Sequence, residues 1–222
     1  MQVVIAGAHG KIGLRLGRRL AGRGDEVTGI VRNPDHRADL SAIGVRPVVL
    51  DLETASADEV AAALVGADAV VFSAGAGPGS GVARKDTVDR AAAALLADAA
   101  ERAGVRRYLL VSSVGVENVR GDVAGPGDEV FHAYLVAKLA AEDDLRARTL
   151  DWTILRPGHL TDDPGTGRVR LAPSVPRASI PRDDVAAVLV ALLDRPATRG
   201  TVLEVIGGDT PTEAAVAAVA AG

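Results

Sequence analysis

Short apolar runs alternate with longer periodic ones along all 222 residues. The runs QVVIA (2–6), EVTGIV (26–31), RPVVL (46–50), ADAVVF (67–72), RRYLLV (106–111), WTIL (152–155) and TVLEVI (201–206) are brief and rich in β-branched residues. Runs of this kind, with few polar positions, predict strands buried on both faces. Between them, apolar residues recur at helical spacing. Residues 11–21 set Ile12, Leu14, Leu16 and Leu20 among arginines, and a helix following Ser56 has Glu59 placed to complete a capping box. Further helices are predicted over 84–103, ended by Gly104, over 129–148, over 181–193 and from Thr212 onward. Residues 161–179, rich in Pro, Gly and Arg, predict mostly loop with room for one short strand.

Strand and helix alternate throughout, and no linker, repeat or charge block divides the chain. That order predicts a single α/β domain: a doubly wound, mostly parallel sheet with helices on both faces. In such sheets ligands sit beyond the carboxyl ends of the strands. The first strand runs into Gly7-Ala8-His9-Gly10-Lys11-Ile12-Gly13, where glycines allow a sharp turn, close approach of a pyrophosphate to backbone, and tight helix–strand packing. The helix that follows offers free N–H groups and a favourable dipole to phosphate. The alternative is a tight turn that needs glycine but holds no ligand.

The tip of the second strand selects between dinucleotides. An acidic residue there favours NAD, whereas this chain presents Arg32, whose guanidinium suits the 2′-phosphate of NADP. Asp35 keeps NAD as the lesser alternative, and a solvated surface arginine is the plain one. Asp51 and Leu52 follow the third strand, where a carboxylate can meet an adenine amino group. Ala74, Gly75 and Ala76 follow the fourth, where small side chains let backbone pass along the cofactor.

Chemistry is suggested by Tyr134-Leu135-Val136-Ala137-Lys138 on the predicted 129–148 helix. The i, i+4 spacing puts phenol and ammonium on one helical face, where the cation favours phenolate. A hydroxyl from Ser112 or Ser113, at the end of the fifth strand, can orient a carbonyl beside them. An incidental surface pair is the bland reading. His9 and His159 are weaker candidates, each readable as an ordinary loop residue.

Composition narrows the classes. The net charge of −4 gives no case for nucleic acid or anionic membrane, and the absence of Cys excludes disulfides and thiolate chemistry. No His/carboxylate set has metal-ligand spacing, no serine sits in a nucleophile elbow, and no apolar run reaches membrane-spanning length. Met1 leads directly into a strand, so no signal peptide is expected and a cytoplasmic location is. Only three of the 25 basic residues are lysines: Lys11, Lys85 and Lys138.

Taken together, GAHGKIG (7–13), VRNP (31–34), DL (51–52), AGVRRYLLVSS (103–113), YLVAKLAAED (134–143), LDWTILRPG (150–158) and IPRDDVAAVLVALL (180–193) resemble the atypical short-chain dehydrogenase/reductases, in particular their small NmrA-like group. The resemblance covers essentially the whole chain. It implies a Rossmann fold that binds NADP through Gly7, Ala8, His9, Gly10, Lys11, Ile12, Gly13 and Arg32, with Asp51 and Leu52 around the adenine. It also implies that Lys138 contacts the nicotinamide ribose and that Pro157, Gly158, His159 and Leu160 lie near the nicotinamide. Tyr134 and Ser112 or Ser113 match the catalytic set of the superfamily. In this subgroup some members reduce flavins, quinones or biliverdin without a dedicated proton donor, and others only sense NADP.

The leading expectation is therefore an NADP-dependent reductase acting on a small carbonyl, quinone or flavin-like acceptor, with residues from about 157 to the end covering that small-molecule substrate. A non-catalytic NADP sensor is the alternative. A sugar-nucleotide epimerase or dehydratase ranks lower, because little chain remains after Arg156 for a substrate lobe. The two long helices, 84–103 and 129–148, offer faces for a homodimer.

Overall fold

Alternation within each buried run decides which residues face which helical layer. In β1 (Gln2–Ala6), Val3 and Ile5 point to one side of the sheet and Val4 and Ala6 to the other. In β5 (Arg107–Val111), Leu109 and Val111 join the first side, and Tyr108 and Leu110 the second. Both faces are covered, so neither set of side chains meets water. The computed structural model describes residues 1–77, 79–119 and 129–221.

The sheet has nine strands. From one edge they run β3 (Val45–Val49), β2 (Glu26–Val31), β1, β4 (Ala69–Phe72), β5, β6 (Asp151–Pro157), β10 (Thr201–Gly207), β8 (Arg168–Ala172) and β11 (Thr210–Pro211). All neighbours pair in parallel except at the far edge, where β8 runs antiparallel to both β10 and β11. The chain winds outward from β1 through β2 to β3, then crosses back to add β4 on the other side of β1. That reversal opens a crevice between the ends of β1 and β4, the usual ligand position in such sheets.

One face is packed by α1 (Lys11–Gly22) and α7 (Arg182–Leu193), through Leu16, Leu20, Val188 and Leu192. A short α2 (Arg37–Ala42) adds Leu40, and α8 (Thr212–Ala220) adds Val216. The other face is packed by α3 (Ala57–Ala63), α5 (Ala92–Ala103) and α6 (Glu129–Arg146). The Ser56/Glu59 capping box forms as expected, and Gly104 ends α5 in the left-handed conformation at φ 73°.

Two predicted segments differ in detail. The expected 84–103 helix is a composite: α4 (Val82–Arg84), a π-helical turn over Lys85–Ala91, then α5. Residues 161–179 hold one strand within their length, β8, as the sequence allowed. They are bracketed by a small parallel pair, β7 (His159–Thr161) and β9 (Ser179–Pro181), which fastens this loop to the end of β6.

Candidate functional site

At the crevice the glycine loop presses directly against the loop after β4. A Cβ on Gly7 would stand 2.6 Å from the Ala74 backbone, and its φ of 78° disfavours any side chain. A Cβ on Gly13 would overlap the Gly7 carbonyl oxygen, so α1 can start this close to β1 only with glycine there. Gly10 occupies the N-cap of α1 with no side chain capping the helix, and the first turn carries no acidic residue. The N–H groups at this end therefore lack the partners that Ser, Thr or Asp would supply. This uncapped, dipole-positive end fits a pyrophosphate. Ala8 and Ile12 are buried beneath the loop, while Lys11 is exposed.

A cavity of about 540 Å³ opens beside the loop. Gly7, His9 and Gly10 form its floor, Ile30 to Asn33 and Leu50 to Glu53 one wall, and Ser73 to Ala76 with Arg84 and Val88 the other. Of the residues expected from sequence, it gathers Arg32, Asp51, Leu52, Ala74, Gly75 and Ala76 in one place. Asp35 is not among its lining residues; its N–H caps back to Asn33 Oδ1 at 3.0 Å. Three features of the rim were not foreseen. The His9 and His36 rings stack with centroids 3.6 Å apart, and His9 Nε2 lies 2.8 Å from Asp39 Oδ2. Arg32 Nη1 donates to Glu53 at 2.9 Å. Glu53 also accepts from Arg84 Nη2 at 2.7 Å and from Thr87 Oγ1 at 2.7 Å, and these bonds hold its carboxyl below the usual range.

Beyond the cavity wall lies a second, buried cluster. The π-helical turn directs both Lys85 and Asp89 inward, and they grip the β4–α4 loop from beneath. Lys85 Nζ donates to the Gly77 carbonyl at 2.9 Å, and the Ala76 N–H donates to Asp89 Oδ2 at 3.2 Å. Asp89 Oδ1 faces Lys138 Nζ at 3.2 Å, and Lys138 also donates to the Val111 carbonyl at 3.0 Å. Both members of that ion pair are buried, at 0 % and 4 % exposure. An ammonium carries three donors, so these two contacts leave one N–H for another acceptor.

Tyr134 sits over this cluster. Lys85 Nζ lies 5.6 Å and Lys138 Nζ 5.9 Å from its ring centroid, two cations within reach of one ring. The other tyrosine has a different fate. Tyr108 is buried, donates to the Ala93 carbonyl at 3.0 Å, and burial pushes its phenol far up, so it takes no part in proton transfer near neutrality. Ser112 Oγ is buried and finds no hydrogen-bond partner among the described residues, whereas Ser113 Oγ donates to the Val114 carbonyl at 3.2 Å.

Pro157, Gly158, His159 and Leu160 leave the end of β6, two strands from the cavity, and Gly158 packs so tightly on the Ala178 carbonyl that no side chain would fit. Just past them Asp162 collects three cations: Lys11, Arg182 at 3.0 Å and Arg15 at 3.7 Å. Its carboxyl is held below the usual range, chiefly by Lys11. Among the described residues no cluster of three or more His, Asp or Glu side chains is arranged to hold a metal ion, and no helix is long and apolar enough to cross a membrane.

A family model described as NAD(P)H-binding matches residues 7–196, spanning the glycine loop, both cavity walls and the Tyr134 cluster. The chain belongs to that family. Membership bears out the resemblance to atypical short-chain dehydrogenase/reductases and the single-domain Rossmann fold. Among relatives, a Bacillus subtilis protein named as an uncharacterized sugar epimerase, YhfK, is 38% identical over 212 residues, covering 95% of this chain and 96% of its own. A Bacillus halodurans structure, described provisionally as an NAD-dependent epimerase/dehydratase, is 37% identical with a TM-score of 0.89, over 98% of this chain and 99% of that one. ChuY of Escherichia coli O157:H7, an anaerobilin reductase, is 28% identical with a TM-score of 0.79, over 94% and 98%. The family thus holds oxidoreductase-like and epimerase-like members built on one NAD(P)H-binding frame.

Proposed function

We propose that this chain is an NADPH-dependent reductase that delivers hydride to a small carbonyl, quinone or flavin-like acceptor. The observation that carries the reading is the joining of two sites by one loop: Ala74 to Ala76 wall the cavity, and Asp89 ties the same loop to Lys138 beneath Tyr134. When bound, the dinucleotide supplies the hydride. The chain's own residues then have separate tasks. The N-terminus of α1 holds the pyrophosphate, and Arg32 at the cavity rim meets the 2′-phosphate. Lys138 keeps an N–H for a ribose hydroxyl, Tyr134 gives the proton that the reduced acceptor needs, and the unpartnered Ser112 Oγ orients the acceptor oxygen.

NADPH oxidation measured against a panel of quinones, flavins and small carbonyls tests this, with Tyr134→Phe as control. We expect activity with at least one acceptor and a fall of roughly 10²-fold in kcat for the phenylalanine variant, with NADPH affinity retained. A panel with no turnover in protein that binds NADPH would favour the sensor role. The names of the Bacillus relatives favour a redox-neutral reading, epimerisation with the cofactor returned unchanged. Conversion of a nucleotide sugar without net NADPH loss would select it.

A further inference from the structure

Glu53 is the feature of the cavity that no cofactor-binding role yet uses. It follows β3 in a tight turn, its own N–H donating to Asp51 Oδ1 at 3.0 Å. Its carboxylate receives Arg32 at 2.9 Å, Arg84 at 2.7 and 3.5 Å, and the Thr87 hydroxyl at 2.7 Å. These donors come from three separate places in the chain: the end of β2, α4 and the π-helical turn. Two guanidinium groups and a hydroxyl converging on one anion make the donor set that a phosphate monoester takes. Arg32 and Arg84 are 54% and 39% exposed and both line the cavity, so a ligand can reach them, whereas Glu53 is 21% exposed and lies between them.

We infer that Glu53 is an internal stand-in for the cofactor's 2′-phosphate and sets the discrimination between NADP(H) and NAD(H) by competing for Arg32 and Arg84. This rests on the reading of Arg32 given above. A 2′-phosphorylated adenosine displaces the Glu53 carboxylate from the two arginines. An adenosine with a free 2′-hydroxyl leaves that carboxylate in place. Without ligand, Glu53 keeps two cations paired that would otherwise repel each other across the rim. The discrimination is thus the difference between two anions for one cradle, and the carboxylate side of it is written into the chain.

The test is titration calorimetry of 2′,5′-ADP and of 5′-AMP on wild-type protein, Glu53→Gln and Glu53→Ala, with melting curves to confirm folding. Removing the competing charge should tighten 2′,5′-ADP by about tenfold in both variants and leave 5′-AMP within a factor of about two. Unchanged or weakened binding of 2′,5′-ADP in both folded variants overturns the role given to Glu53 while leaving NADPH binding standing. Wild-type protein that binds neither NADPH nor NADH overturns the functional reading itself, and the role of Glu53 with it.

Discussion

The two ends of the cleft handle charge in opposite ways. At the cavity rim, Arg32 and Arg84 both pair with Glu53 in partial contact with solvent. Behind the loop, Lys138 and Asp89 pair almost wholly out of water, and each also bonds to backbone. Exposed pairs contribute little to stability, about 0–1 kcal/mol, and so can be exchanged for a ligand's charges. A buried pair is costly to break from one side, because the abandoned charge stays desolvated. The rim is therefore built for exchange and the interior for fixed position. The proposed reductase would use those two qualities for binding and for chemistry respectively.

Four measurements would sharpen or break that contrast. Gly13→Val should have the largest effect, eliminating measurable NADPH binding by calorimetry, since the new side chain must push the Gly7 carbonyl aside; binding within tenfold of wild type would remove the loop from the cofactor site. Asp89→Leu comes next. It strands Lys138 and should cost about 3–5 kcal/mol in urea unfolding, where a rim pair would cost less than about 1. A small loss there would erase the distinction between the ends. If the rim reads the 2′-phosphate as proposed, Arg32→Ala should weaken NADPH about tenfold relative to NADH, with stability unmoved.

The smallest effect concerns acid. The carboxyl of Glu53 is held below its ordinary 4.5 by Arg84 and Thr87, so folding binds fewer protons than the unfolded chain does. Its contribution is present above about pH 4.5 and is lost as pH falls through the lowered folded value. Comparing wild type with Glu53→Gln across pH 3 to 6, roughly that window, should show a shallow convergence of the two stability curves on acidification. Divergence would contradict the rim pairing.

Much of this was legible in the sequence because it depends on neighbours. The glycine loop, the Ser56/Glu59 box, the Gly104 terminator and the parallel strands are each specified within a few residues, where steric rules act directly. Arg32 was legible as a strand-end cation, yet its partner was not. Glu53 lies 21 residues away and Arg84 a further 31, and only the crossover from β3 to β4 brings them together. The stacked His9 and His36 depend on a different pairing, the parallel β1–β2 register that sets the loops after both strands side by side. The π-helical turn escaped for another reason. Its alanine-rich surroundings satisfy a helical period of either width, so nothing in the hydrophobic pattern registers the extra residue.

That turn also governs how the chain tolerates change of length. A π-turn bonds each N–H to the carbonyl five residues back instead of four, so the Lys85–Ala91 turn takes in one extra residue while the helix on either side keeps its facing. Inside it Lys85 and Thr87 reach Gly77 and Glu53, while the alanine stripe of α5 stays in register with the sheet. A single wide turn thus serves two demands at once, tight packing behind and charged reach in front. Substitutions along this helix change one contact at a time; deleting one residue of the turn would close it to ordinary α-winding and re-aim its inward-facing side chains together.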